Sequence, residues 1–172
     1  MSSNLSLISS LASGVSSAKN LLISEDVIAA INTVRKLGIK VSYDKLSCKV
    51  YGKGINGYRY NSKLIINAEN SGTLGRLILG LIINSPYAIK LIGDKSLSKR
   101  DFKRITEPLS KFGAVFKFKK KNGLPILIKG SKNLSPIRYL EKRGSAQCKS
   151  SVMFAGARTT GKTIIKAKKS RN

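Results

Sequence analysis

Histidine and tryptophan are absent from this 172-residue chain. Without histidine there is no Ser-His-Asp or Cys-His catalysis and no imidazole metal site. Cysteine is scarce: Cys48 and Cys148 stand 100 positions apart and make neither a metal pattern nor a disulfide framework. They read as reduced thiols of a cytoplasmic protein. No apolar run approaches the ~18–20 residues that span a bilayer; the longest, Leu77 to Ile83, is a buried-helix signal, so no membrane partner is expected. Acidic residues are few as well, 8 against 33 basic ones, which gives a formal charge of +25.

That charge points to an anionic partner. The chain is 41% hydrophobic, so it is no disordered polycation, and its length allows one domain with a real core. The basic residues are spread along the chain, with short runs at Lys117 to Lys121 and Lys166 to Lys169 that read as solvated faces. Aromatics are 6% of the chain and no zinc-finger or RNP-type pattern occurs, so nucleic acid is an unlikely partner and small anionic substrates are preferred. A basic nucleic-acid-binding module remains the alternative from another class. The first twenty residues are Ser-rich and acid-free like a targeting segment, yet lack its positive start and long apolar stretch. Leu5, Ile8, Leu11 and Ala12 follow helical spacing instead, stopped by Gly14.

Further helices are predicted from apolar stripes. Ser24 is placed to cap one that opens with Glu25 and Asp26 and ends at Gly38. Others cover Thr73 to Ile83, Phe102 to Phe112 (kinked by Pro108) and Gln147 to Ala155. Strand signals lie at Ala18 to Leu22, Ile39 to Tyr43, Ser47 to Tyr51, Leu64 to Asn67, Ile89 to Ile92, Val115 to Lys119, Ile126 to Lys129, Ile137 to Tyr139 and Thr163 to Ala167. Gly52, Gly54, Asn56 and Gly57 read as a loop.

The order of these elements repeats as βαβαββ. Ser3, Ser71 and Ser145 open equivalent helices, and Glu25, Arg100 and Arg171 mark the next position of each unit. The expected organisation is one α/β domain, residues 1–172. Repeat 1 (about 1–57) lacks its first strand, repeat 2 is about 58–132, and repeat 3 (about 133–172) is incomplete. Each equivalent helix starts with small polar residues, whose free N–H groups and helix dipole favour an anion by ~0.3–1 kcal/mol. Gly156 to Thr163 fits the P-loop pattern, but a helix precedes it and a strand follows, the reverse of what phosphate binding there requires.

Several stretches together resemble the family of 5-enolpyruvylshikimate-3-phosphate synthases. They are Asn20 to Asp26, Asn70 to Arg76, Gly93 to Arg100, Glu107 to Ala114, Gly144 to Ser150 and Ser170-Arg171, in order along essentially the whole chain. The resemblance implies the inside-out α/β barrel fold of enolpyruvyl transferases, this chain being most of the N-terminal domain of a longer enzyme. It implies transfer of the enolpyruvyl group of phosphoenolpyruvate to the 5-hydroxyl of shikimate 3-phosphate, by addition and elimination, with no metal or other cofactor. By position, Asn70, Gly72, Arg100 and Gln147 match phosphoenolpyruvate contacts. Ser145, Ala146, Gln147 and Ser170 match shikimate 3-phosphate contacts. Departures accompany the match. Leu5 stands where the family has an arginine, Asp101 where it has a proline, and the catalytic lysine and the C-terminal domain have no counterpart here. No catalytic residue is therefore assigned, little activity is expected of this chain alone, and a non-catalytic half of a split transferase is a further alternative. The related transferase acting on a nucleotide sugar is disfavoured by Ser145-Ala146-Gln147.

Overall fold

The computed structural model describes residues 4–22, 24–44, 46–142 and 144–168. Five α-helices and nine strands follow one another along the described residues. The order is α1 (Asn4–Leu11), β1 (Ser13–Lys19), α2 (Glu25–Lys36), β2 (Lys40–Tyr43), β3 (Ser47–Lys53), β4 (Ile65–Asn67), α3 (Gly72–Leu81) and β5 (Ala88–Ile92). A 3₁₀ turn (Leu97–Lys99), α4 (Lys103–Ser110), β6 (Val115–Phe118), β7 (Ile126–Lys129), β8 (Arg138–Glu141), α5 (Ala146–Gly156) and β9 (Ile164–Ala167) follow. The architecture is mixed α/β.

The strands form three sheets. In the largest, ordered β4-β5-β7-β6, the β4–β5 pair is parallel and the others antiparallel. The sheet β1-β3-β2 has the order and directions of β5-β7-β6. The pair β8-β9 is parallel, as β4-β5 is. Helix α3 is the hub. It is the most apolar helix, is buried at nearly every position, and packs on α1, α2, α4 and α5. A helix apolar all round belongs inside. Among the described residues no helix is long and apolar enough to cross a membrane.

Local chemistry explains most boundaries. Helix α2 ends at Gly38, whose φ is +85° and whose added Cβ would lie 2.5 Å from the Arg59 carbonyl, so only glycine fits. Ser24 does stand at the α2 N-cap, but its side chain makes no capping bond; Glu25 and Asp26 supply favourable charge in the first turn instead. The strand expected at Ala18 to Leu22 lies earlier, as β1. It pairs with β3 over its whole length while its side chains stay largely exposed, so backbone bonds hold it and no apolar pattern announces it. Gly52 is likewise not a loop residue: pairing with Gly14 carries β3 through it. Pro108 lies within α4, which runs on to Ser110. Its ring removes the N–H that would reach the Arg104 carbonyl, and the Cys148 thiol donates to that carbonyl at 3.8 Å. Both cysteines are buried free thiols.

Candidate functional site

The parallel pairing of β4 with β5 brings the segments after both strands together. Ala68 N–H donates to the Ile92 carbonyl and Asp94 N–H to the Glu69 carbonyl, each at 2.9 Å. Asp94 then organises the corner. One carboxylate oxygen accepts from Leu97 N–H at 2.6 Å and the other from the Asn70 amide at 2.5 Å. These bonds hold its carboxyl below the usual carboxylate range, the Leu97 bond foremost. The 3₁₀ turn so anchored delivers Arg100 to the start of α3. A Cβ built on Gly72 would lie 2.7 Å from Arg100 Nη1 and 3.2 Å from Arg76 Nη1. Glycine there leaves room beside two guanidinium groups.

The start of α5 lies against the same place. Ser71 and Ser145 each cap their helix, accepting from Leu74 N–H and Cys148 N–H at 3.3 Å. Ser145 N–H in turn donates to Glu141 at 3.0 Å. Gln147 bridges the helices. Its Oε1 accepts from Arg76 Nη1 at 2.5 Å and its Nε2 donates to the Thr73 hydroxyl at 3.0 Å. Further along, Ser151 Oγ donates to the Arg76 carbonyl at 3.0 Å, and Arg158 reaches Asn84 at 3.2 Å. The pairs Thr73–Gln147 and Asn84–Arg158 share a separation of 74 residues, so α3 and α5 run parallel. Both positive helix ends therefore meet at one site. Each carries about half a unit charge.

Arginines add to that field. Arg76 is only 7% exposed, its Nε has no hydrogen-bond partner, and its guanidinium carbon lies 5.9 Å from the Phe102 ring centroid. Burial pulls its pKa down, and the Arg104 and Arg100 charges pull it further. Arg104 Nε is also buried without a partner. A cleft of about 570 Å³ beside Arg100 is lined by Asp94, Lys95, Ser96 and Lys99. The arrangement suits a small polyanion: the first-turn N–H groups that the two serine caps leave over, two helix dipoles and the neighbouring Arg76 and Arg100 guanidinium groups. A larger cleft of about 670 Å³ lies between α2 and β4 and contains none of these residues.

Of the residues singled out in the sequence, Asn70, Gly72 and Arg100 come together at the α3 end, and Ser145, Ala146 and Gln147 form the α5 end joined to it. Ser2, Ser3, Ser170 and Arg171 lie outside the described residues. Thr73 belongs to the small polar opening of this helix that the sequence marks for an anion, whereas nothing in the sequence assigns a role to Arg76 or Arg104. The available signal for Arg76 was its place one turn after Gly72, on the same face of α3. Gly156 to Thr163 joins α5 to β9, which is not the strand–loop–helix order of a P-loop. Among the described residues no three side chains of the His, Cys, Asp and Glu types gather to hold a metal ion.

Comparison with known proteins places this geometry. The family model described as EPSP synthase (3-phosphoshikimate 1-carboxyvinyltransferase) matches residues 1–171. A 3-phosphoshikimate 1-carboxyvinyltransferase of Caldicellulosiruptor bescii is 42% identical over 163 residues, 93% of this chain and 37% of that protein. One from Sulfurihydrogenibium sp. is 40% identical over 160 residues, 92% of this chain and 37% of that protein. The solved EPSP synthase of Acinetobacter baumannii superposes with a TM-score of 0.91 at 27% identity, over 99% of this chain and 38% of that one. The chain thus spans little more than a third of the length of the curated relatives it matches.

Proposed function

The chain belongs to the EPSP synthase family, and on that premise we propose that it forms the anion-binding part of a 3-phosphoshikimate 1-carboxyvinyltransferase. That enzyme moves the enolpyruvyl group of phosphoenolpyruvate to the 5-hydroxyl of shikimate 3-phosphate and releases phosphate, a cytoplasmic step towards aromatic amino acids. The single observation that carries the reading is the Gln147 bridge, which fuses two positive helix ends and the Arg76–Arg100 pair into one site.

In this reading Arg100 holds phosphoenolpyruvate through its fork, and Gly72 and Asn70 leave it a close approach to the backbone. Ser145 and Ala146 offer the α5 end to shikimate 3-phosphate, and Gln147 touches both substrates. Ser170 joins the same phosphate on resemblance alone. Arg76 is a positioning residue, fixing the Gln147 amide. The fold is read as repeated βαβαββ units, about 1–57, 58–132 and 133–172, as in the inside-out α/β barrel. The matching order of β1-β3-β2 and β5-β7-β6 supports it. Addition and elimination need proton transfer, and the carboxylates of Asp94, Asp101 and Glu141 beside this site are engaged as backbone acceptors. We therefore assign this chain binding and orientation, with turnover requiring the rest of the family fold.

Calorimetric titration with shikimate 3-phosphate at moderate salt, with duplex RNA as control, tests the reading. Saturable binding that Gln147→Ala weakens at least about tenfold, one hydrogen bond's worth of ~1.4 kcal/mol, is expected. Tight, salt-sensitive RNA binding without response to shikimate 3-phosphate would overturn it.

A further inference from the structure

The backbone around Arg100 is gripped by a loop that carries none of the site residues. Strands β6 and β7 form a hairpin, and its tip, Asn122 to Leu124, packs against the segment from the 3₁₀ turn to α4. Leu124 N–H donates to the Ser98 carbonyl at 3.2 Å, and Phe102 N–H donates to the Asn122 carbonyl at 2.8 Å. One bond falls before Arg100 and the other after it, with Gly123 between them. We infer that this hairpin tip positions Arg100, which makes Gly123 a positioning residue for phosphoenolpyruvate, acting through the backbone rather than on the ligand. The inference rests on Arg100 being the phosphoenolpyruvate contact.

The contact is backbone on backbone, so it leaves little freedom. A Cβ on Gly123 would lie 2.1 Å from the Ser98 carbonyl oxygen and 3.8 Å from that of Arg100. Real Cβ contacts stay beyond 3.0 Å, so a side chain here must drive tip and turn apart by about 0.9 Å. Asn122 makes the corner that brings Gly123 so close. Its φ is +56°, a left-handed conformation that asparagine tolerates better than most residues.

The turn is also held on its other sides. Ser98 N–H donates to the Asp94 carbonyl and Arg100 N–H to the Leu97 carbonyl, each at 3.0 Å. Asp94 is itself tied to Glu69 through its N–H and to Asn70 through its carboxylate. The fully buried Leu97 and Leu124 side chains fill the space between turn and hairpin, where a Cβ on Gly93 would meet them at 2.7 and 2.9 Å. A push at Ser98 is therefore passed along the chain to Arg100, whose Nη1 stands beside Gly72. A shift of ~1 Å is enough to spoil such positioning. Among the described residues these bonds reach the Arg100 segment and not α5, so the Ser145 end of the site is left in place.

Calorimetry on the 172-residue chain tests this, with shikimate 3-phosphate titrated alone and phosphoenolpyruvate titrated in its presence. Gly123→Ala is expected to weaken phosphoenolpyruvate at least about tenfold and to leave shikimate 3-phosphate within about twofold. Asn122→Gly keeps the left-handed corner and should change neither affinity. Asn122→Ala strains the corner and should weaken phosphoenolpyruvate several-fold, and this pair decides the matter if Gly123→Ala does not fold. The Arg100 Nε resonance, assigned with Arg100→Lys, should move in Gly123→Ala and Asn122→Ala and stay in place in Asn122→Gly. Unchanged phosphoenolpyruvate affinity in a folded Gly123→Ala, an equal loss for both substrates, or an unmoved Arg100 resonance would each overturn the positioning role. Failure of the unaltered chain to bind either substrate would overturn the proposed function instead, and the Arg100 resonance would then judge the hairpin by itself.

Discussion

Replacing Gly72 by alanine separates room for a ligand from stability of the fold. Gly72 is the first residue of α3 and has no left-handed backbone, so alanine meets no conformational strain there. Helix propensity even favours it by up to about 1 kcal/mol. The new methyl would lie 2.7 Å from Arg100 Nη1, the tip of an exposed and flexible side chain, which can withdraw at little cost. Arg76 Nη1 at 3.2 Å is pinned by Gln147 and must give only a few tenths of an ångström. Stability should therefore change by less than about 1 kcal/mol, or about 2–4 °C in Tm for a domain of this size. Binding pays instead: Arg100 leaves the position from which its fork reaches an anion, and a charge-assisted hydrogen bond is worth about 1.5–3 kcal/mol. Phosphoenolpyruvate, titrated calorimetrically in the presence of shikimate 3-phosphate, should bind about 10- to 150-fold more weakly, while the melting curve barely moves. Unchanged phosphoenolpyruvate affinity would refute the placement of Arg100. A Tm loss beyond about 8 °C would refute the claim that its side chain is free to shift.

The helix crossing makes the contrasting prediction. A Cβ on Gly80 would lie 2.1 Å from the Ser151 carbonyl oxygen, backbone that moves only if α5 moves, so Gly80→Ala should cost about 3 kcal/mol or more. Gly75→Ala, whose methyl meets the Phe102 ring at 3.3 Å, should cost about 1 kcal/mol or less; equal melting temperatures for the two variants would contradict the parallel packing of α3 and α5. Asp94 gives the pH dependence. Its folded pKa is below the ordinary 3.8, so the stabilisation it brings is complete above the unfolded value and is lost as pH falls through the folded value. An NMR titration should find its midpoint below 3.8, and Asp94→Asn should blunt the acid-induced opening of the Asn70 corner; a midpoint at or above 3.8 removes the capping role.

What the sequence made legible is what depends on local periodicity. The α3 stripe is visible because burial on all sides demands apolar residues at successive turns, and Ser71 and Ser145 are visible because a cap is a local chemical act. Strand β1 hides because its stability comes from backbone bonds to β3, which ask nothing of its Ser- and Gly-rich side chains. Arg76 hides for a different reason. A lone arginine in an apolar helix reads as a solvated tip, and only the arrival of Gln147, 71 residues later, turns it into a buried strut. Even so, one long-range fact was present in the spacing. Ser71 and Ser145 are 74 residues apart, and Thr73 meets Gln147 and Asn84 meets Arg158 at that same separation. Each residue touches its own counterpart one period on. Equivalent positions can touch only near the axis that relates their helices. The Gly72–Gln147 site therefore lies near that axis, at the positive end of the helix pair. The end where the N–H groups emerge offers an anion backbone donors and the positive end of two dipoles.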